Sequence, residues 1–205
     1  MKKMFEQVLN AAYTQLEEEA ASFCAERDGD NLLLLFEWSN GATDWKNNFD
    51  FPAKPYRDME DKWYCHRGFL RVWKAIEPHL ADAIMNPEIK YIVIAGYSHG
   101  GAVAALCHEY CRFHRPDCKV YGYGFGAPRV VWGRLSDTVQ ARFDGFRIIR
   151  NKGDIVTHLP PVLFGFRHAG WLTTIGKVGR YSPIKAHYAA SYIKELEAFE
   201  KQEEG

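Results

Sequence analysis

Tyr91-Ile92-Val93-Ile94-Ala95-Gly96-Tyr97-Ser98-His99-Gly100-Gly101-Ala102 is the stretch that decides how this chain is read. A β-branched apolar run ends abruptly in Gly-x-Ser-x-Gly, and Ala102-Val103-Ala104-Ala105-Leu106 continues as a buried helix. Strand, tight turn and helix in this order make a nucleophile elbow, whose strained turn lifts a serine Oγ above the edge of a sheet. Gly96 and Gly100 keep side chains out of the space where strand and helix converge. The helix N-terminus aims N–H groups at charge developing beside Ser98. At average glycine usage of about 7%, roughly one serine in 200 is flanked this way by chance. The motif therefore outweighs a Gly-rich structural turn.

Around this stretch lie 205 residues, 47% hydrophobic and 15% aromatic, enough to bury one sizeable core and too apolar for a disordered chain. One domain over 1–205 is expected, with no repeat, low-complexity tract or linker to mark a second. Twenty-six basic residues balance 26 acidic ones, so composition favours neither nucleic acid nor an anionic membrane as partner. The five cysteines, Cys24, Cys65, Cys107, Cys111 and Cys118, are odd in number and contain no Cys-x-x-Cys pair, which argues against a disulfide framework or a metal site. No apolar run is long enough to cross a bilayer. Met1-Lys2-Lys3-Met4-Phe5-Glu6 lacks the apolar core of a signal peptide, so the chain as given reads as cytoplasmic, a trimmed secreted form being the alternative.

In chain order, helical spacing from Met4 to Arg27 predicts a first helix, with Glu17-Glu18-Glu19 on its solvated face. Leu32–Phe36 is strand-length and suited to a sheet covered on both sides. Residues 37–64 are irregular and rich in Trp, Phe and Tyr, and 40–64 is the expected lid or pocket-covering loop. Gly68–Ala83 reads as a helix that Pro78 should kink or end. Tyr91–Tyr97, Lys119–Phe125 and Phe146–Arg150 read as strands, separated by a helix over Gly101–Phe113 and a polar helical stretch near Leu135–Phe143. Gly165–Lys177 reads as a hairpin or edge strands, and Ala186–Lys201 as a terminal helix with Tyr188, Tyr192 and Leu196 on its apolar face. Strands alternating with helices predict an α/β fold with a mainly parallel sheet.

A serine hydroxyl stays protonated at neutral pH and needs a histidine base oriented by a carboxylate. Sites built on this turn take these partners in the chain order Ser, Asp or Glu, His. Of the later acids Glu109, Asp117, Asp137, Asp144 and Asp154, only Asp154 directly follows an apolar strand, after a glycine that permits a tight turn. Of the later histidines, His108 and His114 lie on or just after the helix leading away from Ser98, while His187 opens the final helix. His187 is favoured by position, and His158 and His168 stay open as alternatives. An oxyanion needs backbone donors, expected at His99 and, in the loop after Leu32–Phe36, near Ser39.

These residues resemble the class 3 lipases of the α/β-hydrolase superfamily over most of the chain, from about Leu32 to Tyr192. The resemblance rests on Gly96-Tyr97-Ser98-His99-Gly100-Gly101, His66-Arg67-Gly68-Phe69, Gly124-Phe125-Gly126-Ala127-Pro128-Arg129, Asn151-Lys152-Gly153-Asp154 with Leu159-Pro160-Pro161, and His187 through Tyr192. It implies an α/β-hydrolase fold and a triad of Ser98, Asp154 and His187. Where the family has Phe-Arg-Gly-Thr, this chain has Phe36-Glu37-Trp38-Ser39, with Ser39 in the position of the oxyanion threonine and Asn40 or Thr43 as alternative donors. The implied activity is hydrolysis of acyl (triacylglycerol-type) esters through an acyl-enzyme, with no metal or organic cofactor. The implied partners are an acyl-ester or lipid substrate and a transient lipid interface. A phospholipase A or acyltransferase on the same triad is the alternative enzyme reading, and a silent lipid-binding module the non-enzymatic one.

Overall fold

The computed structural model describes residues 1–17, 21–37, 52–56 and 62–203. Its helices are α1 (Lys2–Asn10), α2 (Arg67–Met85), α3 (His99–His114), α4 (Asp137–Ala141) and α5 (Ala189–Glu203). Its strands are β1 (Thr14–Gln15), β2 (Ser22–Asp28), β3 (Asn31–Phe36), β4 (Ala53–Pro55), β5 (Tyr64–His66), β6 (Tyr91–Tyr97), β7 (Lys119–Phe125), β8 (Val131–Trp132), β9 (Phe146–Asn151), β10 (Phe166–Arg167) and β11 (Trp171–Ile175). A seven-stranded sheet runs in the order β1-β2-β3-β6-β7-β9-β11, parallel from β3 onward, with β1 and β2 antiparallel at one edge. A small antiparallel sheet, β10-β8-β5-β4, lies apart from it.

The continuous apolar runs of β3 and β6 follow from their central place, since helices cover both faces of the sheet. On one face Leu34, Ile92 and Ile94 pack against α2 and α3 through Phe69, Trp73 and Leu106. On the other, Leu35, Ala95 and Ile149 pack against α1 and α5 through Phe5, Tyr192 and Leu196. Helix α2 runs on past Pro78 to Met85, because Leu80 and Ile84 are buried beyond the proline. Each such side chain contributes about 1.5–3 kcal/mol, comparable with the cost of a helix-interior proline.

One expectation is corrected here. The helix expected from Met4 to Arg27 stops at Asn10, and Ser22–Asp28 is a strand hydrogen-bonded to β3. Phe23 and Cys24, read as one helical stripe, enter opposite cores on the two faces of the sheet. Of the expected acidic face, Glu18 and Glu19 lie outside the described residues. Of the hairpin or edge strands expected over Gly165–Lys177, the structure forms edge strands: β10 pairs with β8 at the edge of the small sheet, and β11 runs parallel to β9 at the edge of the large one. Gly170 (φ +84) makes that passage, where a Cβ would stand 2.4 Å from the Phe146 carbonyl oxygen. Of the 40–64 segment, 40–51 and 57–61 lie outside the described residues. Its Tyr56 and Trp63 are buried, with ring centroids 4.7 Å apart and the Tyr56 hydroxyl donating to the Leu106 carbonyl at 2.8 Å.

Strand β6 and helix α3 approach so closely that a Cβ on Gly96 would lie 2.2 Å from the Gly100 carbonyl oxygen. Gly96→Ala is expected to cost about 3 kcal/mol, since backbone cannot yield as a flexible side chain does. Thermal unfolding measures it, and an unchanged Tm would contradict the packing described.

Candidate active site

Ser98 stands between β6 and α3 with φ +55 and ψ −122, the only positive-φ non-glycine residue among those described. Its amide donates to the Phe125 carbonyl at 2.8 Å and its own carbonyl accepts from Gly101 at 3.0 Å, so the turn is held from both sides. The residue is 9% exposed. The next strand in the sheet, β7, is followed by Gly126 (φ +57), whose amide donates to the Ile149 carbonyl at 2.8 Å. A Cβ there would lie 3.1 Å from both His187 Cε1 and the Tyr192 hydroxyl, so glycine leaves the room those rings occupy.

Strand β9 then ends in the turn Asn151–Asp154, closed by the Asp154 amide on the Asn151 carbonyl at 3.0 Å and bent at Gly153 (φ +96). Asp154 is fully buried, and among the described residues no Lys or Arg side chain bonds to it. Oδ1 accepts from the Val156 amide at 2.9 Å, while Oδ2 accepts from the Tyr192 hydroxyl at 2.6 Å and from His187 Nδ1 at 2.8 Å.

His187 ends a 3-10 turn, Lys185–His187, immediately before α5. Its ring stacks on Tyr97 at 5.2 Å between centroids, and its carbonyl accepts from the Tyr97 hydroxyl. With Nδ1–H committed to Asp154, Nε2 is left as the acceptor, and it stands 2.8 Å from Ser98 Oγ. Thus Ser98, His187 and Asp154, three side chains from distant parts of the chain, form one hydrogen-bonded row.

The other candidates lie elsewhere. Asp117 is at the opposite end of β7, where the Arg115 guanidinium holds its carboxyl down to about 2. Glu109 is buried in an ion pair with Arg142 at 2.7 Å, and Asp137 opens α4. His108 packs edge-on to Phe146, and His168 Nε2 pairs with the Thr157 carbonyl at 2.9 Å. The carbonyl of His158 accepts from Arg129. His99 is the first residue of α3, with its amide at the helix N-terminus and its ring against Phe69 at 5.3 Å. Ser39, Asn40 and Thr43 lie outside the described residues. Among the described residues no group of His, Cys, Asp and Glu is placed to hold a metal ion, and the five cysteines are buried free thiols.

Sequence reasoning missed the supporting partners. Tyr192 counted as an apolar helix position, yet its hydroxyl donates to Asp154 and accepts from the Asn151 amide at 3.0 Å. Asn151 anchors the loop before His187 by donating to the Ala186 carbonyl at 2.8 Å. The signals available were position, at a strand end and one helical turn past His187, and the place of both residues in the motifs that resemble the family.

A match to the family "Lipase (class 3)" covers residues 33–164, from the start of β3 through the Asp154 turn. The chain belongs to the class 3 lipase family. It is 30% identical over 171 residues to the secreted mono- and diacylglycerol lipase 1 of Fusarium solani, covering 80% of this chain and 48% of the relative. It is 28% identical over 153 residues to a Rhizomucor miehei lipase, covering 69% of this chain and 42% of that one. The solved Rhizomucor miehei triacylglyceride lipase superposes with TM-score 0.69 at 24% identity, over 82% of this chain and 66% of the other. The fold is thus the α/β-hydrolase fold, and the chain spans less than half the length of these two curated relatives.

Burial penalises the imidazolium at three sites, holding His99 and His168 down to about 4 and His108 to about 3. In the unfolded chain such rings titrate near 6.5. Between these values the unfolded state binds protons that the folded state refuses, so stability falls as pH drops from about 6.5 toward 4. Tm measured across that window is expected to decline steadily. A flat profile would mean that these rings are not buried in neutral form.

Proposed function

We propose that the protein is a serine carboxyl-ester hydrolase acting on acyl esters of the lipid type, with Ser98 as nucleophile, His187 as general base and acid, and Asp154 as its orienting carboxylate. The observation that carries this reading is the unbroken row from Ser98 Oγ through both nitrogens of His187 to Asp154 Oδ2, with each link at 2.8 Å. The names of the relatives, a mono- and diacylglycerol lipase and a lipase, support the substrate class.

In the proposed reaction Ser98 Oγ attacks the ester carbonyl carbon as its proton passes to His187 Nε2. The carbonyl electron pair moves onto oxygen, beside the first amides of α3, where His99 N–H is one donor and Ser39 the proposed second. Collapse of the tetrahedral intermediate breaks the ester C–O bond, and His187 returns the proton to the departing alcohol. Water, deprotonated by the same imidazole, then releases the acid from the acyl-serine. Asp154 remains ionised throughout and stabilises the imidazolium.

Ser98→Ala is expected to abolish turnover of p-nitrophenyl butyrate and covalent labelling by a fluorophosphonate, with Tm preserved. Full activity in this variant would remove the reading. Tyr192→Phe takes one donor from a buried carboxylate, with an expected loss of about 1–2 kcal/mol in stability. In the folded variant kcat/KM for p-nitrophenyl butyrate is expected to fall, because Asp154 loses one of the donors that fix it against His187. An unchanged kcat/KM would show that the Tyr192 hydroxyl does not position the pair.

A further inference from the structure

Tyr97 is the last residue of β6 and stands next to Ser98. Its ring belongs to the face of the sheet that α1 and α5 cover. It is 3% exposed, and aromatic neighbours from two helices fix it. Phe5 of α1 meets it at 5.2 Å between centroids and 83° between planes, and Tyr192 of α5 at 5.7 Å and 63°. The Tyr97 hydroxyl donates to the His187 carbonyl, and a Cβ on Gly126 would stand 3.2 Å from Tyr97 Cε2. The ring therefore has one place to stand, and that place is against the imidazole of His187.

The two rings lie 25° from parallel with centroids 5.2 Å apart, so the phenol turns its electron-rich π face to the imidazole. Burial raises the phenol above its ordinary range, so this neighbour is a neutral ring and not a phenolate. In the proposed reaction the imidazole becomes a cation as it takes the Ser98 proton. Its side chain is only 18% exposed, so little water reaches that cation. Asp154 Oδ2 meets the charge at Nδ1, in the plane of the ring. Across the plane a π face suits it, because cation–π attraction acts within about 6 Å of the ring centroid and grows where water is excluded. Unlike a second carboxylate, such a face takes no proton and competes for neither ring nitrogen.

We propose that Tyr97 is a positioning residue of this row: its ring holds the His187 imidazole from one side and stabilises the imidazolium that follows proton transfer from Ser98. The inference rests on the ester-hydrolase reading. Turnover by the parent protein and its loss in Ser98→Ala test that reading, whereas differences among variants at position 97 test this one, so the two fail separately. The role is confined to the charged state, which makes it visible in kcat and not in KM.

The test is kcat and KM for p-nitrophenyl butyrate across a series at position 97. Tyr97→Leu removes the ring and is expected to lower kcat about tenfold with KM unchanged, the size of a partly desolvated cation–π contact. Tyr97→Phe keeps the face and loses the hydroxyl, and is expected to restore kcat to within about twofold of the parent. On that phenylalanine ring, 4-fluoro and then 3,4,5-trifluoro substitution withdraw charge from the face at nearly constant shape, and kcat is expected to fall in that order. A series in which kcat ignores fluorination overturns the proposal, because a structural role would depend on shape alone. So does a Tyr97→Phe loss as large as that of Tyr97→Leu, which would assign the effect to the hydroxyl, or a loss carried by KM. Should Tyr97→Leu not fold, the fluorinated rings decide by themselves, with Tm verifying that each variant is folded.

Discussion

Everything at the site depends on one backbone conformation, that of Ser98. A φ of +55 in a residue with a Cβ costs of order 1–3 kcal/mol and persists only where its surroundings over-determine it. Here the Ser98 amide is held by Phe125, the strand before it is pinned between β3 and β7, and the helix after it packs so near that Gly96, Gly100 and Gly101 have no room for side chains. The strain is maintained by the centre of the sheet, and in return Oγ stands clear of both strand and helix.

The second constraint is a buried carboxylate to which, among the described residues, no Lys or Arg side chain bonds. Asp154 is satisfied by an amide from its own turn, a phenol from the last helix and the His187 ring. Helix α5 is therefore part of the site as well as a cover for the sheet. Tyr192 reaches from it to both ends of the Asn151–Asp154 turn, and Asn151 in turn holds the backbone just before His187. Tyr97, from the elbow strand, closes the circuit by stacking beneath His187 and bonding its carbonyl. Three loops from different crossovers are thus locked to one another by side chains that do no bond-making themselves.

Charge follows the same logic of placement. Equal numbers of acidic and basic residues describe the chain, but the loops around Asp154 and His187 hold nearly all of one sign. Composition averages over the whole surface, whereas the local balance of charge is set by which loops the topology sends to one edge.

What the sequence determined by itself were the features with short-range causes. The run Ile92–Ile94 before Gly96 could only be a buried strand entering a tight turn, and β3, β7, β9, α2 and α3 were legible from periodicity of the same kind. The order Ser98, Asp154, His187 was legible because the elbow, the Gly153 turn and the start of the last helix each carry a local signature. What only the tertiary structure decided were the features caused by partners far along the chain. Ser22–Asp28 is a strand because β3 offers an open edge, and Phe23 and Cys24 enter different cores although their spacing reads as helix. Tyr192, an apolar helix position by pattern, becomes a donor to Asp154 because folding places its hydroxyl there. Periodicity reports which face of an element is buried, but a hydrogen bond across 38 residues depends on where two elements meet, and that is settled only when the sheet has closed around them.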